Sequence, residues 1–387
     1  MKILFVAMHN SVHTARWISQ LADQGWDIHL FAVYDYDLPH VDLSNVQVYF
    51  VNNPSLPANR MAEAYNLYPL RQGTRLRKLV AKLLPFTENR AYWLARLIKK
   101  IKPDVVHSLE MQHAAYLTYE AKAWLKRLPT WIYSCWGSDI YYFQYLPDHM
   151  ERIKQVLANC DYLFTDCQRD VELAHEYGFT GELLGVFPGV GGFKIDDMLQ
   201  LTSRVRPSQR RSIVVKGYDG WVYRPFTIIQ ALALCAAELQ GYKIVIYLPG
   251  SQELIDFATK TLQAMQVELE IMPYSPHEAM LKLFGEARVS LASSISDGTP
   301  NSMLEAMVMG SFPIQSDTVS TAEWIEGGVN GFLAQPEDAV GFANALKRAL
   351  NDDELVDQAA QHNLEMLRTR IDYPFVQPQV IGAYKKV

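Results

Sequence analysis

The sequence predicts an α/β fold of two doubly wound, parallel-sheet halves, on three observations. Short apolar runs of strand length alternate with amphipathic helical stretches along the whole chain, the pattern of a parallel sheet covered on both faces. That series occurs twice, and its second copy begins at Ser212-Ile-Val-Val-Lys216. Between the copies, residues 189–209 combine glycines that follow Pro188 with the start of a polar run from Arg204 to Arg211, a composition suited to a linker.

From the start, Ile3–Ala7 is short and apolar enough for a buried strand, and Thr14–Gln24 is a helix stopped by Gly25. Asp27–Val33 and Val46–Val51 are the next strands. Arg75–Ile101 reads as a long helical stretch with a break at Pro85, where the ring removes a backbone donor. Asp104–His107 is a strand, and the alternation continues to Leu163–Thr165. The second series adds strands at Lys243–Tyr247, Glu268–Met272, Val289–Ala292 and Phe312–Gln315, and helices at Ser302–Met309, Asp338–Leu350 and Glu354–Thr369. The expected domains are 1–188 and 210–368, followed by a closing segment, 369–387.

Composition narrows the function. The chain has 387 residues, enough for two or three domains, and 49% hydrophobic residues fill two cores. A net charge of -6 argues against a general nucleic-acid binder. Cys135, Cys160, Cys167 and Cys235 have no metal-ligand spacing and read as reduced and buried, which fits the cytosol. The first apolar run is too short for a signal peptide, and none reaches the roughly 18 to 20 residues of a spanning helix.

The most informative segment is Asp297-Gly-Thr-Pro-Asn-Ser-Met-Leu-Glu305. An acidic loop follows a strand, Pro300 marks the helix start, and a second carboxylate lies one turn inside. Free amides at a helix start attract phosphate, and the flanking carboxylates accept hydrogen bonds from sugar hydroxyls. A plain strand-to-helix junction with capping acids has the same spacing. Downstream come Ala306-Met-Val-Met-Gly310-Ser-Phe-Pro313-Ile and Glu323-Trp-Ile-Glu-Gly-Gly-Val-Asn-Gly331.

That order resembles the nucleotide-sugar-binding domain of family-four retaining glycosyltransferases (group 1 glycosyltransferases), whose pattern is Glu-x7-Glu followed by Glu-Ala-x-Ala-x-Gly-x-Pro-Val. The likeness is specific from about Ser293 to Asp338, with Asp297 in place of the first Glu and Glu305 as the second. It implies the GT-B fold: an N-terminal acceptor-binding Rossmann-like domain, a C-terminal nucleotide-sugar-binding one, and a closing segment that crosses back to the first. It further implies transfer of a hexose from a nucleotide-diphosphate sugar, UDP-sugar first and GDP-sugar next, to a glycan or lipid-linked acceptor with retained configuration. Glu305 would hold the ribose hydroxyls and Asp297, the first catalytic candidate, those of the transferred sugar. Gly298, Thr299, Pro300, Asn301 and Ser302 would line the donor through the loop and helix start, and amides at Met272 and Tyr274 would face the base. By the same resemblance Lys216 and Arg224 would be the phosphate cations. No cluster points to a catalytic metal, and no cofactor is expected.

The N-terminal half is read for the acceptor. His13, Thr14 and Arg16 follow the first strand, in a loop without the paired glycines of many relatives. Trp136-Gly137-Ser138-Asp139 resembles the family's His-Gly-x-Asp loop. Trp136 replaces the His, which removes that donor; Asp139 carries over as a cleft residue and candidate acceptor base, and Gly137 suits a positive φ. From Arg60 to Lys102 eleven Lys or Arg face two acids, Glu63 and Glu88, with interleaved Leu and aromatics, a pattern suited to an anionic membrane surface. A solvated helix packing its leucines inward has the same pattern. The expected location is cytoplasmic, reaching the inner face of the membrane. A non-catalytic sugar-nucleotide binder and a same-fold epimerase are the alternatives.

Overall fold

A computed structural model describes residues 1–43, 45–56, 64–70 and 72–387. Arg60, Glu63 and Arg71 of the basic stretch lie outside the described residues.

The chain divides into two compact units, Met1–Gly191 with Val376–Val387, and Gly192–Phe375. In the first, eight parallel strands stand in the order β4-β3-β2-β1-β5-β6-β7-β8. They are β1 Lys2–Ala7, β2 Asp27–Ala32, β3 Gln47–Phe50, β4 Ala64–Asn66, β5 Val105–Leu109, β6 Thr130–Cys135, β7 Tyr162–Thr165 and β8 Glu182–Val186. In the second, β9 Ser212–Lys216, β10 Lys243–Tyr247, β11 Glu268–Met272, β12 Ala287–Ala292, β13 Phe312–Ser316 and β14 Phe332–Ala334 stand in the order β11-β10-β9-β12-β13-β14, again all parallel. Each order reverses once, between β1 and β5 and between β9 and β12. In open α/β sheets ligands bind at that reversal, beyond the carboxyl ends of the strands.

Burial follows the sequence pattern. Ile3 to Ala7 and Val105 to Leu109 are buried along their whole lengths, as strands covered on both faces must be. The two faces of the first sheet carry separate apolar clusters, one around Leu4, Val6 and Trp131, the other around Ile3, Phe5 and Trp17. A third cluster around Ile213, Val215 and Phe342 fills the second unit.

One expected break is present, and two expected elements differ. The Arg75–Ile101 stretch is two helices, Arg75–Leu83 and Arg90–Ile101, separated by a 3-10 turn at Pro85–Glu88; Asn89 caps the second through its side chain. The first helix begins earlier than expected, at Val12, because Ser11 caps it by accepting from the His13 amide at 3.2 Å, and it stops at Ser19. Residues 189–209 are not a plain linker: they hold a helix at Ile195–Leu199 and a 3-10 turn at Pro207–Gln209, both in the second unit. Ile195 and Met198 are buried, and that burial orders a segment whose composition reads as loop.

The chain returns to the first unit at Val376, within the helix Tyr373–Tyr384. Its anchor is Tyr384, fully buried, whose hydroxyl accepts from Trp17 Nε1 at 3.0 Å and lies 2.6 Å from His107 Nδ1. Burial pushes the His107 imidazole down to about 3, so it is neutral at ordinary pH.

Candidate functional site

In the second unit the expected donor residues converge beyond the carboxyl ends of β9, β12 and β13. The loop after β9 is zipped onto the segment after β12. The Arg224 amide donates to the Ser293 carbonyl at 2.9 Å, the Ile295 amide to the Val222 carbonyl at 2.8 Å, and Tyr223 bridges Ser294. Gly217 is required where β9 turns over β10, since a Cβ there would lie 2.7 Å from Ile246 Cγ2. This pairing brings Lys216 to the aromatic pair Tyr218 and Tyr223, with Nζ 5.5 and 4.9 Å from the ring centroids. It also sets Tyr223 near Asp297; burial, with that carboxylate as a second cause, pushes the phenol up to about 12.

The two basic candidates separate. Lys216 has no carboxylate partner among the described residues and is available to a phosphate. Arg224 is spent on structure: Nε donates to Glu337 Oε1 at 2.9 Å, and Nη1 to the carbonyls of Trp221 and Tyr223 at 3.0 and 2.9 Å.

The acidic loop is held from below. The Ser320 hydroxyl shares its one proton between the carbonyls of Asp297 and Gly298, at 3.0 and 2.8 Å, and Trp324 Nε1 donates to Thr299 Oγ1 at 3.3 Å. Asp297 is half-buried, and its Oδ1 accepts from the Gly298 amide at 3.0 Å. Val319, beside Ser320, has φ 66, a strained conformation for a β-branched residue. Thr299 is 3% exposed, so what it can offer a ligand is backbone. Pro300 is the N-cap of the helix Asn301–Val308 and gives no side-chain cap, which leaves amides at its first turn for an anion. Ser302 reaches the buried Tyr247 hydroxyl. Glu305 is buried one turn in, with Oε1 2.6 Å from His277 Nε2. Met272 ends the edge strand β11, its carbonyl accepting from the Leu248 amide at 3.0 Å, and the Tyr274 side chain is exposed.

Sequence reasoning missed Tyr223, Tyr247, His277 and Ser320. Tyr223 had a signal, an aromatic close to Lys216 in the same loop. His277 had none: it lies 28 positions from Glu305.

The expected acceptor residues in the first unit are less open. Thr14 is fully buried and does not present its hydroxyl, a correction to its expected role; helix packing decides it. His13 and Arg16 are half-buried, with the His13 ring centroid 5.8 Å from that of Trp136. Gly137 has φ 50, as its position demanded; its amide donates to Asp166 Oδ2 at 3.2 Å, and Ser138 beside it is half-buried. Asp139 is enclosed as well. It is 3% exposed, and Oδ2 accepts from the amides of Met111 and Trp136 at 3.0 and 2.9 Å and from the Tyr133 hydroxyl at 3.0 Å. Burial, reinforced by Glu110, pushes its carboxyl well up. Three donors on one buried oxygen make it an organiser of its loop.

Among the described residues one group has the spacing to hold a metal ion. Asp166, Cys167 and Asp170 lie close together but are buried, and Arg169 Nε donates to Asp170 Oδ1 at 2.8 Å.

Two parallel-sheet α/β units with this loop at a strand-order reversal define the GT-B class, and solved structures agree. The chain aligns over its full length with sucrose-phosphate synthase from Thermosynechococcus elongatus (TM-score 0.71, 15% identity, 98% of that chain). It aligns equally with HepE from Anabaena in complex with UDP-glucose (TM-score 0.72, 14% identity, 100% of that chain). The lipopolysaccharide outer core galactosyltransferase WaaB in its apo form gives a TM-score of 0.67 at 15% identity, with 100% of both chains covered. These likenesses establish the fold. The family comes from the sequence: residues 202–366 match the model for glycosyl transferases group 1, and residues 2–59 and 42–166 match glycosyl transferase 4-like. The chain belongs with the group 1 glycosyltransferases. No curated protein matches it.

Proposed function

We propose that this protein transfers a hexose from a nucleotide-diphosphate sugar, a UDP-sugar first, to a glycan or lipid-linked acceptor in the cytoplasm, with retention and without a metal. The observation that carries the reading is the helix Asn301–Val308, whose start lacks a side-chain cap and is bracketed by Asp297 and Glu305. Diphosphate oxygens accept from the amides at that start, and the Lys216 ammonium compensates their charge as the leaving group departs. Glu305 accepts from the ribose hydroxyls once His277 yields its oxygen. Asp297 accepts from hydroxyls of the transferred sugar, the shorter side chain set by the Ser320 clamp. Gly298, Thr299 and Asn301 contribute backbone. The amides at Met272 and Tyr274 face the base. Attack on the same face as the leaving diphosphate accounts for retention, because no enzymic nucleophile stands out in the sequence.

Three features support UDP-sugar use: the group 1 match, the engaged loop, and the complex of HepE with UDP-glucose at the same fold. Thermal stability against UDP-, GDP-, ADP- and TDP-sugars tests it; ligand at 100 times its dissociation constant adds about 2.7 kcal/mol. A shift confined to UDP-sugars is expected, and none with any series would overturn the reading. Turnover unchanged by a chelator, and the anomeric configuration of the product by NMR, test metal independence and retention. The second reading, a non-catalytic binder, is favoured by the loss of the His at Trp136; donor binding without transfer to any acceptor would establish it.

A further inference from the structure

The helix Arg75–Leu83 has no buried residue. Leu76, Leu79 and Leu83 form one stripe at 56%, 53% and 68% exposure, and Leu84 extends it. Arg75, Lys78 and Lys82 are exposed beside the stripe. The opposite side is fastened down: Arg77 lies over the Tyr68 ring at 4.7 Å and donates through Nε to Glu88 Oε1 at 2.9 Å. Glu88 is the only acid between residues 75 and 101, so that ion pair uses the one negative charge of the region. Next to the helix, Phe86, Tyr92 and Trp124 form an aromatic group with centroids 4.9 to 6.0 Å apart, and Trp124 is exposed.

We propose that this face is a docking surface for an anionic lipid bilayer, with the leucine stripe and Trp124 entering the headgroup boundary and Arg75, Lys78 and Lys82 meeting lipid phosphates. The inference deepens the lipid-linked acceptor reading and rests on it only for its biological purpose. Charge selects the occupant. A short helix with a leucine side, a cationic flank and a nearby Trp matches what interfacial helices use to lie in a membrane surface. A second copy of the chain docking symmetrically would set one cationic rim against its twin, a like-charge contact that disfavours pairing. A bilayer carrying anionic lipid supplies both the apolar depth and the opposite charge.

Sedimentation of the full chain with vesicles tests this. Binding to phosphatidylcholine–phosphatidylglycerol vesicles is expected, falling steeply with salt, with weak binding to phosphatidylcholine alone. Neutralising the three charges (Arg75→Gln, Lys78→Gln, Lys82→Gln) should lower partitioning roughly fivefold per charge and on the order of a hundredfold together. Leu79→Asp with Leu83→Asp should abolish binding. All five positions are exposed, and an unchanged thermal midpoint will confirm folding of the variants. No binding to anionic vesicles by the wild type, or equal binding to neutral ones, would overturn the proposal. So would a dimer in sedimentation velocity that the Leu79→Asp variant dissolves, because the occupant would then be a second copy. None of these readouts uses the donor, so failure here is separable from failure of the transferase reading.

Discussion

Each unit reverses its strand order once and places a strand-to-helix junction beside the reversal, yet the two junctions are finished in opposite ways. In the second unit the helix Asn301–Val308 starts at Pro300 with no side-chain cap, with the Asp297 carboxylate before that start and Glu305 one turn inside. In the first, Ser11 caps the helix Val12–Ser19 with its own hydroxyl, Thr14 is buried, and neither acid nor paired glycine opens the loop. The difference teaches that the topology places a ligand site but does not make one. Whether the amides of the first turn are left to a ligand or consumed by the chain's own oxygen decides which junction attracts phosphate.

The sharpest way to break that contrast is at Asp297. Asp297→Asn should lower kcat on the order of a hundredfold if its charge is felt in the transition state, while donor affinity, read by calorimetry, changes little; an unchanged kcat would remove the assigned role. Glu305→Gln should weaken donor binding by about tenfold to a hundredfold, the value of a charge-assisted hydrogen bond of ~1.5–3 kcal/mol, and calorimetry reads it directly. Acid sharpens the contrast between the units. Free imidazole takes a proton near 6.5 and buried His107 only near 3, so between those values the unfolded chain binds the extra proton and His107 costs stability as pH falls, about 1.4 kcal/mol per pH unit. A His107→Gln variant should flatten the acid side of the urea-midpoint profile. Tyr384→Phe should destabilise the first unit by ~1–2 kcal/mol through the partners left by its hydroxyl, Trp17 and His107. The smallest effect belongs to the capped junction: Ser11→Ala should cost ~1 kcal/mol in denaturation and leave donor affinity unchanged. A changed affinity would show that this junction also meets the donor.

Much of the fold was legible because both sheets are parallel and buried on both faces, which writes each strand as a continuous apolar run such as Ile3–Ala7 or Ile213–Val215. Short edge strands β4 and β14 left no such mark, since three residues are too few to show a period. The candidate donor loop could be picked out because Asp297 through Glu305 are consecutive, so local chemistry and spatial neighbourhood coincide. The acceptor side was read less well. Thr14 and Asp139 have the right chemistry in the right loops, and packing turned the first inward and surrounded the second with three donors.

The sequence by itself determined the two α/β units, the helix start at Pro300 and the pair of acids around it, because these depend on periodicity and on contacts within one turn. Only the tertiary structure decided which cation remains available, Lys216 and not Arg224, and which partners hold the carboxylates. Arg224 meets Glu337 at 113 positions' separation and His277 meets Glu305 at 28. Such pairings are settled by where parallel strands end relative to one another, and no local pattern along the chain records that.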